Sequence, residues 1–403
     1  MKVVIAGGGG AALETLLALR DLAEERVSIE LFAPRAEFSY RPLAVAEPFG
    51  LGKARRYDLR RIAEENATLF RSATLTEVQP TERRVSTAEA GSFDYDVLVV
   101  AVGAKPTTPL SGAITVQGPG YSGRFRTLLS AIEAEQVRQV TFAVPPGATW
   151  ALPLYELALM TAARVEERGL QGVELRLVTP ESAPLELFGA EASRAVRALL
   201  EQRGIAIHLG LYPAAVREEE LDVVPADHSP VPAEAVVTLP QLHGPATTGL
   251  PHDSDGFVPV DLHGLVQGET DVYAAGDATV FPIKQGGIAT QQADAVAEAI
   301  AARAGAPLSP EPFRPVLRGM LLTGSSPRYM RAEVSGGRGD EHDVADHALW
   351  WPPSKIAGRY LSPYLALRHA ELELQGQRPG DIPVDLELEL EQRSAEALAR
   401  EGE

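Results

Sequence analysis

The stretch Val3-Val4-Ile5-Ala6-Gly7-Gly8-Gly9-Gly10-Ala11-Ala12 follows Met1-Lys2 directly, and its reading decides the fold. Residues 2–6 are mostly β-branched and apolar, as a buried strand requires. The glycines make a turn. Ala11 to Glu24, with leucines at 13, 16, 17 and 19, has the spacing of an amphipathic helix, and Val27 to Phe32 is a second strand. Gly7, Gly9 and Ala12 satisfy G-x-G-x-x-G/A between strand and helix. In that motif Gly7 permits the tight turn and Gly9 lets backbone approach a pyrophosphate. Ala12 allows close helix packing, and the helix N-terminus faces the anion. The other reading is a glycine-rich turn with no ligand. The acidic residue usual at the end of the second strand is missing, since Ala33-Pro34 stands there. Either Arg35 or backbone groups take over contact with a ribose.

The pattern then repeats. Tyr95-Asp96-Val97-Leu98-Val99-Val100-Ala101-Val102-Gly103 is apolar without alternation, the mark of a strand covered on both faces. From Val140 a second series begins: strand Val140–Val144, helix Leu154–Glu167, strand Val173–Thr179, helix Glu191–Gln202 and strand 204–208. Two strand–helix–strand units about 135 residues apart predict a duplicated fold. Asp271-Val272-Tyr273-Ala274-Ala275 is a further strand running into Gly276-Asp277, followed by a helix from Gly287 to Ala304. The expected class is α/β with two Rossmann-like dinucleotide-binding domains, the second inserted in the first. The boundaries expected are 1–115 with 245–305, then 116–244, then a small C-terminal domain over 306–403. Within that last part Val384 to Glu403 reads as an exposed acidic helix.

Composition narrows the chemistry. The chain has 403 residues, 45% hydrophobic and 23% charged, with a formal net charge of −18. From Glu371 onward ten acidic side chains face three basic ones. Nucleic acid is not an expected partner, because its binding is driven by basic surface. There is no cysteine, which removes disulfides, thiolate nucleophiles and Cys-ligated metals. The eight histidines show no metal-binding spacing, and no metal is expected. Glu14 interrupts the first apolar run, so it does not read as a signal peptide, and no stretch of 18 apolar residues suggests a membrane span. A cytoplasmic location is expected, with peripheral contact to the inner face of the membrane as the alternative.

The segment Gly268 to Ala301, "GETDVYAAGDATVFPIKQGGIATQQADAVAEAIA", carries the most specific signal. Asp277, just after a buried strand, is placed to accept hydrogen bonds from a ribityl or ribose hydroxyl. The helix start at Gly287-Ile288-Ala289 offers N–H groups and a positive dipole end to a ring oxygen that gains negative charge. Together with "GGGGAA", "DYDVLVVAVGAKP" and "GFVPVDLHGLVQGETDVYAAGDAT", this segment resembles the pyridine nucleotide–disulfide oxidoreductase superfamily. Within it, the similarity is to sulfide:quinone oxidoreductases and type II NADH dehydrogenases. The resemblance covers about residues 1–305. It implies FAD, with pyrophosphate at Gly7 and Gly9, adenosine near the strand ending at Gly103, ribityl chain at Asp277 and flavin ring over Lys284 to Ala289. Gly10, Pro42, Ala101 and Gly276 complete the implied cofactor contacts.

Two departures from that family matter. Its sulfide chemistry runs through cysteines, which are absent. Its nicotinamide motif, aligned on Glu156-Leu157-Ala158, would place glycines at 149, 151 and 154, where this chain has Thr149, Ala151 and Leu154. The acid at the end of the next strand is displaced to Glu181, after Thr179-Pro180. NAD(P)H binding is therefore left open.

Two residues are candidates for catalysis. Lys284, one of five lysines against 32 arginines, either supplies a compact charge near the flavin or is a solvated surface lysine. Glu156, on the helix that faces the flavin in the resembling family, either relays a proton or is an ordinary salt-bridged glutamate. Trp350, Trp351, Tyr360 and Tyr364 with Lys355 cover the flavin, touch a bilayer surface or simply pack the C-terminal domain. The function expected is a cysteine-independent FAD oxidoreductase moving electrons between a small-molecule donor and a quinone-like or other small acceptor. The alternatives are an NAD(P)H:quinone oxidoreductase and a non-catalytic flavoprotein that serves as an interaction or electron-transfer partner.

Overall fold

A computed structural model describes residues 1–374 apart from 90, 118, 119, 336 and 337. The glycine turn is built as its sequence predicts. The strand Lys2–Ala6 leads through it into the helix Gly10–Ala23 and on to the strand Ser28–Ala33. Lys2–Ala6 is central in a five-stranded parallel sheet, flanked by Val97–Val100 on one side and Ser28–Ala33 on the other. Val97 to Val100 are fully buried, which explains the missing alternation: both faces of the sheet are covered. Val272–Ala274 forms the outer strand beside Val97–Val100, although more than 130 residues of chain lie between them.

That intervening chain builds a second five-stranded parallel sheet, with Gln139–Ala143 between Glu174–Thr179 and Ala235–Thr238. The helix Leu152–Glu167 packs on it. Leu154, Tyr155, Leu157, Ala158 and Leu159 are all fully buried, and each large apolar side chain contributes about 1.5–3 kcal/mol. In the first unit, the helices Gly10–Ala23 and Gly286–Arg303 approach closely because small residues line the contact. A side chain at Gly276 would meet Ala11 Cβ at 3.1 Å and Ala289 Cβ at 3.3 Å.

The C-terminal region differs from its sequence reading. Val316–Leu321, Arg328–Ser335 and Arg338–Ala345 form an antiparallel sheet that was not foreseen. Leu317, Met320 and Leu321 are all buried, so Val316–Leu321 breaks the period-two pattern of a strand with one open face. The sheet is pressed onto the second unit so tightly that a side chain at Gly319 would come within 2.6 Å of Phe188. The helix Leu361–Leu374 returns to the first unit, where Tyr360 donates to Asp21 and Tyr364 to Glu65, and Arg368 pairs with Glu65. Trp350 stacks edge-on against Tyr329 and donates to the Ser354 carbonyl at 2.9 Å. These aromatics are packing and bracing groups, whereas Trp351 is exposed. The acidic helix expected over Val384 to Glu403 lies outside the described residues. Among the described residues no helix is long and apolar enough to cross a membrane.

Candidate cofactor site

Gly7 closes the first turn with φ +139°, and a Cβ there would lie 2.1 Å from the Ala101 carbonyl oxygen. No other residue fits between those two strand ends. Gly9, two residues later, is different. A Cβ on it would meet nothing within 4 Å, and no side chain caps the helix that it precedes. Open space at an uncapped helix N-terminus, with Gly10 opening the helix and Ala12 buried beneath it, fits a pyrophosphate. Gly103 stands at the end of the neighbouring strand, also facing open space. Arg35 is exposed just beyond the second strand, and Pro42 is half-buried in a short 3₁₀ turn, Arg41–Val45.

The strand Val272–Ala274 delivers Gly276–Ala278 to the same edge. Gln292 holds this turn through its Oε1, which accepts from Gly276 N–H at 2.8 Å. Burial pushes the Asp277 carboxyl up, while Lys284 and Arg41 pull it back. Lys284 is buried and not a solvated surface lysine: its amine donates to the Thr279 carbonyl and lies 3.8 Å from the centre of the Phe257 ring. Burial brings this amine down to about 8, against the attraction of Asp277 and Asp253.

The helix Gly286–Arg303 begins one residue earlier than expected, and its donors are differently distributed. Gln285 caps it, with Oε1 accepting from Ile288 N–H at 2.8 Å, and Ala289 N–H is taken by the Gln285 carbonyl. The N–H groups of Gly286 and Gly287 are therefore the ones that an outside acceptor would meet, rather than those of Ile288 and Ala289. Ile356, from the C-terminal segment, covers this helix start and is fixed by Tyr40, whose hydroxyl accepts from Ile356 N–H at 3.0 Å.

Glu156 is fully buried. Its Oε1 accepts from Leu322 N–H at 2.9 Å and lies 2.5 Å from Lys355 Nζ. Burial raises the carboxyl and lowers the amine, and the charge of each partner opposes the shift of the other. Glu156 Oε2 has no hydrogen-bond partner among the described residues, and neither has the Tyr121 hydroxyl. The phenol is pushed up by burial and by the charges of Glu156 and Glu47. The sequence grouped Lys355 with aromatic residues. Only the scarcity of lysine hinted at its burial.

The second glycine-motif position does not fit a pyrophosphate. Leu154 is fully buried at the third motif position, where close helix packing calls for a small residue, Ala151 is buried at the second, and Pro153 is the second residue of the helix. Glu181, the displaced acid, is turned inward: its Oε2 accepts from Tyr155 Oη at 2.6 Å and from Thr179 Oγ1 at 2.8 Å. Burial raises this carboxyl too. Trp150 meets Phe188 edge to face, ring centres 5.7 Å apart. Among the described residues no cluster of His, Asp and Glu could hold a metal ion.

Known proteins agree with this architecture. Over 261 residues the chain is 25% identical to a sulfide-quinone reductase of Aquifex aeolicus, a match covering 60% of this chain and 59% of that protein. The chain thus matches less than two thirds of that relative's length. Over 296 residues it is 26% identical to a demethylphylloquinone reductase of Synechocystis sp., covering 68% and 71% respectively. The structure of the sulfide:quinone oxidoreductase of Aquifex aeolicus superposes with a TM-score of 0.76 over 94% of this chain and 92% of that one, at 20% identity. Residues 1–301 match the pyridine nucleotide-disulphide oxidoreductase family. With two parallel sheets in the expected places and that match across three quarters of its length, the chain belongs to the pyridine nucleotide-disulphide oxidoreductase family.

Proposed function

We propose that the protein is an FAD-dependent oxidoreductase that works without cysteine and passes electrons between a small-molecule donor and a quinone-like acceptor. The single observation that carries this reading is the contrast between the two glycine-motif positions. The space over Gly9 is open, while its counterpart Ala151 is buried, Leu154 is fully buried where the first motif has Ala12, and the displaced acid Glu181 is turned inward. FAD, when bound, supplies two-electron chemistry. The chain's own residues bind and orient it: Gly7 and Gly9 at the pyrophosphate, Asp277 at the ribityl hydroxyls, and the N–H groups of Gly286 and Gly287 at a ring oxygen. Lys284 would supply a compact charge close to that ring. Glu156 and Lys355 pair in a site that excludes water, which suits proton delivery to an acceptor. Two curated relatives are named for quinones, and this supports a quinone-like acceptor. We also propose domain boundaries at 115/116, 244/245 and 305/306.

The test is spectroscopic. Purified protein should carry, or take up, a yellow flavin identified as FAD. Anaerobic mixing with NADH or NADPH should leave the flavin band unbleached on the time scale of turnover, while the chemically reduced protein should be reoxidised by a soluble quinone. Colourless protein that cannot be loaded with FAD overturns the reading. Rapid bleaching by a nicotinamide would instead favour an NAD(P)H:quinone oxidoreductase.

A further inference from the structure

Beside the closed second motif lies a cleft of about 800 Å³, a size that suits a small molecule. Its floor and walls come from three parts of the chain. Thr149 belongs to the degenerate turn, Phe281 and Ile283 to the segment leading into Lys284, and Phe313 and Leu317 to the C-terminal region. Phe281 and Phe313 meet edge to face, ring centres 5.2 Å apart. The rim is also apolar, and it is open to water: Leu262 is 61% exposed, Val280 39% and Leu187 38%. A monomeric protein seldom leaves so many large apolar groups together around a concave site without a use for them.

Charge decides what kind of molecule fits. Among the described residues Asp261 is the one ionisable side chain in the lining, and its Oδ1 is already engaged by the N–H groups of His263 and Leu265 at 2.8 and 2.9 Å. There is no lysine, arginine or histidine in the lining, among the described residues, to neutralise a phosphate. A dinucleotide would bring two negative charges into an apolar cleft beside an acid, within a chain of net charge −18, and would lose its hydration without compensation. We propose that this cleft, beside the degenerate turn at Thr149, binds an uncharged aromatic-headed lipophile. The inference rests on the reading that the flavin exchanges electrons with small molecules, and it names the chemistry of one of them.

Trp150 makes this testable without turnover, because it follows Thr149 directly and meets Phe188, the neighbour of Leu187. The FAD-loaded, oxidised full chain is titrated with decyl-1,4-benzoquinone, and tryptophan emission is followed. Saturable quenching is expected; Trp150→Phe should remove most of the saturable part, with Trp350 and Trp351 still present. Leu262→Glu and Val280→Glu, both on the exposed rim, should weaken binding at least tenfold with unchanged melting temperature, whereas Leu367→Glu, exposed on the C-terminal helix, should not. Neither NADH nor NADPH at millimolar concentration should displace the probe. Quenching that ignores both rim variants, or displacement by either nicotinamide, overturns the proposal. Failure to hold FAD would instead sink the functional reading, which the visible spectrum reports separately.

Discussion

Lys355 Nζ lies 2.5 Å from Glu156 Oε1 at a point where Glu156 is fully buried and the lysine side chain is 7% exposed. The contact ties the Leu152–Glu167 helix to the C-terminal segment. Removing either partner strands a polar group in the core, and breaking such a pair costs about 3–5 kcal/mol. Lys355→Met should therefore destabilise the protein by that order in urea denaturation. Glu156→Gln with Lys355→Met, which leaves neither charge behind, should recover most of the loss. If the pair delivers protons as proposed, the double variant will be stable and yet slow to reoxidise with quinone. A double variant as unstable as the single one would mean that the residues do not act as a pair.

A second buried junction carries a pH dependence. Glu14 accepts from Tyr360 N–H at 2.7 Å and Leu361 N–H at 2.8 Å, the entry to the last helix. Asp294 stands against it, with Arg359 and Glu298 nearby, and burial followed by the Glu14 charge raises Asp294 to about 9. A carboxyl raised in the folded state adds stability at low pH, and the gain is lost as pH climbs toward the folded value. The Asp294 contribution to the melting temperature should fall between about pH 4 and pH 9, and the fall should be smaller in Asp294→Asn. Lys284, whose amine is depressed, works in the opposite direction over part of that range, so the difference between wild type and variant is the quantity to measure. Parallel curves for the two proteins would remove Asp294 as the cause.

Much of this architecture is legible in the sequence, for physical reasons that differ from site to site. Gly7 and the apolar run Val97 to Val100 announce themselves because backbone approach and two-sided burial each restrict residue choice locally. The gap at Thr149, Ala151 and Leu154 is legible in the same way. The Glu156–Lys355 pair spans 199 residues of sequence, and no local pattern couples such positions. Glu14 looked like an interruption of an apolar run, yet its partners are two N–H groups some 346 residues away. Gln285 misled for a subtler reason: a glutamine side chain at a helix start satisfies Ile288 and so moves the open donors back to Gly286 and Gly287.

Gly7 and Gly9 should separate folding from cofactor binding. Gly7→Ala forces a Cβ to 2.1 Å from the Ala101 oxygen at φ +139°, so the protein should lose both stability and flavin. Gly9→Ala fills empty space at a backbone conformation that alanine tolerates, with φ −97°. Its apo stability should stay within about 1 kcal/mol. Its affinity for FAD should drop at least tenfold, about 1.4 kcal/mol or more, as read by flavin titration. Undiminished affinity in Gly9→Ala would show that the pyrophosphate lies elsewhere.

Tyr155 and Glu181 support each other at the closed second motif. Tyr155→Phe leaves a buried carboxyl with one hydroxyl partner fewer and should cost about 1–3 kcal/mol. It should not open the site to nicotinamide, because Leu154 still fills the third motif position. Equilibrium unfolding measures the first effect, and anaerobic mixing with NADH measures the second. Bleaching of the flavin in Tyr155→Phe but not in wild type would mean that the tyrosine alone blocks the nucleotide.

Lys284 offers the sharpest test of the proposed flavin position. Its amine is brought down to about 8 by burial, so it is a cation at pH 7 and largely neutral at pH 10. A cation close to the ring favours the reduced, more negative flavin and therefore raises the midpoint potential. The effect should be present below pH 8 and lost above it. Lys284→Met keeps the length of the side chain over Phe257 and removes the charge. At pH 7 its potential should lie below that of wild type by on the order of 30 mV, which is about 1.4 kcal/mol for a two-electron couple. At pH 10 the two proteins should coincide, and the break in the wild-type curve near pH 8 should be gone from the variant. A purely structural lysine, holding only the Thr279 carbonyl, would lower the melting temperature on substitution and leave the potential curve unmoved.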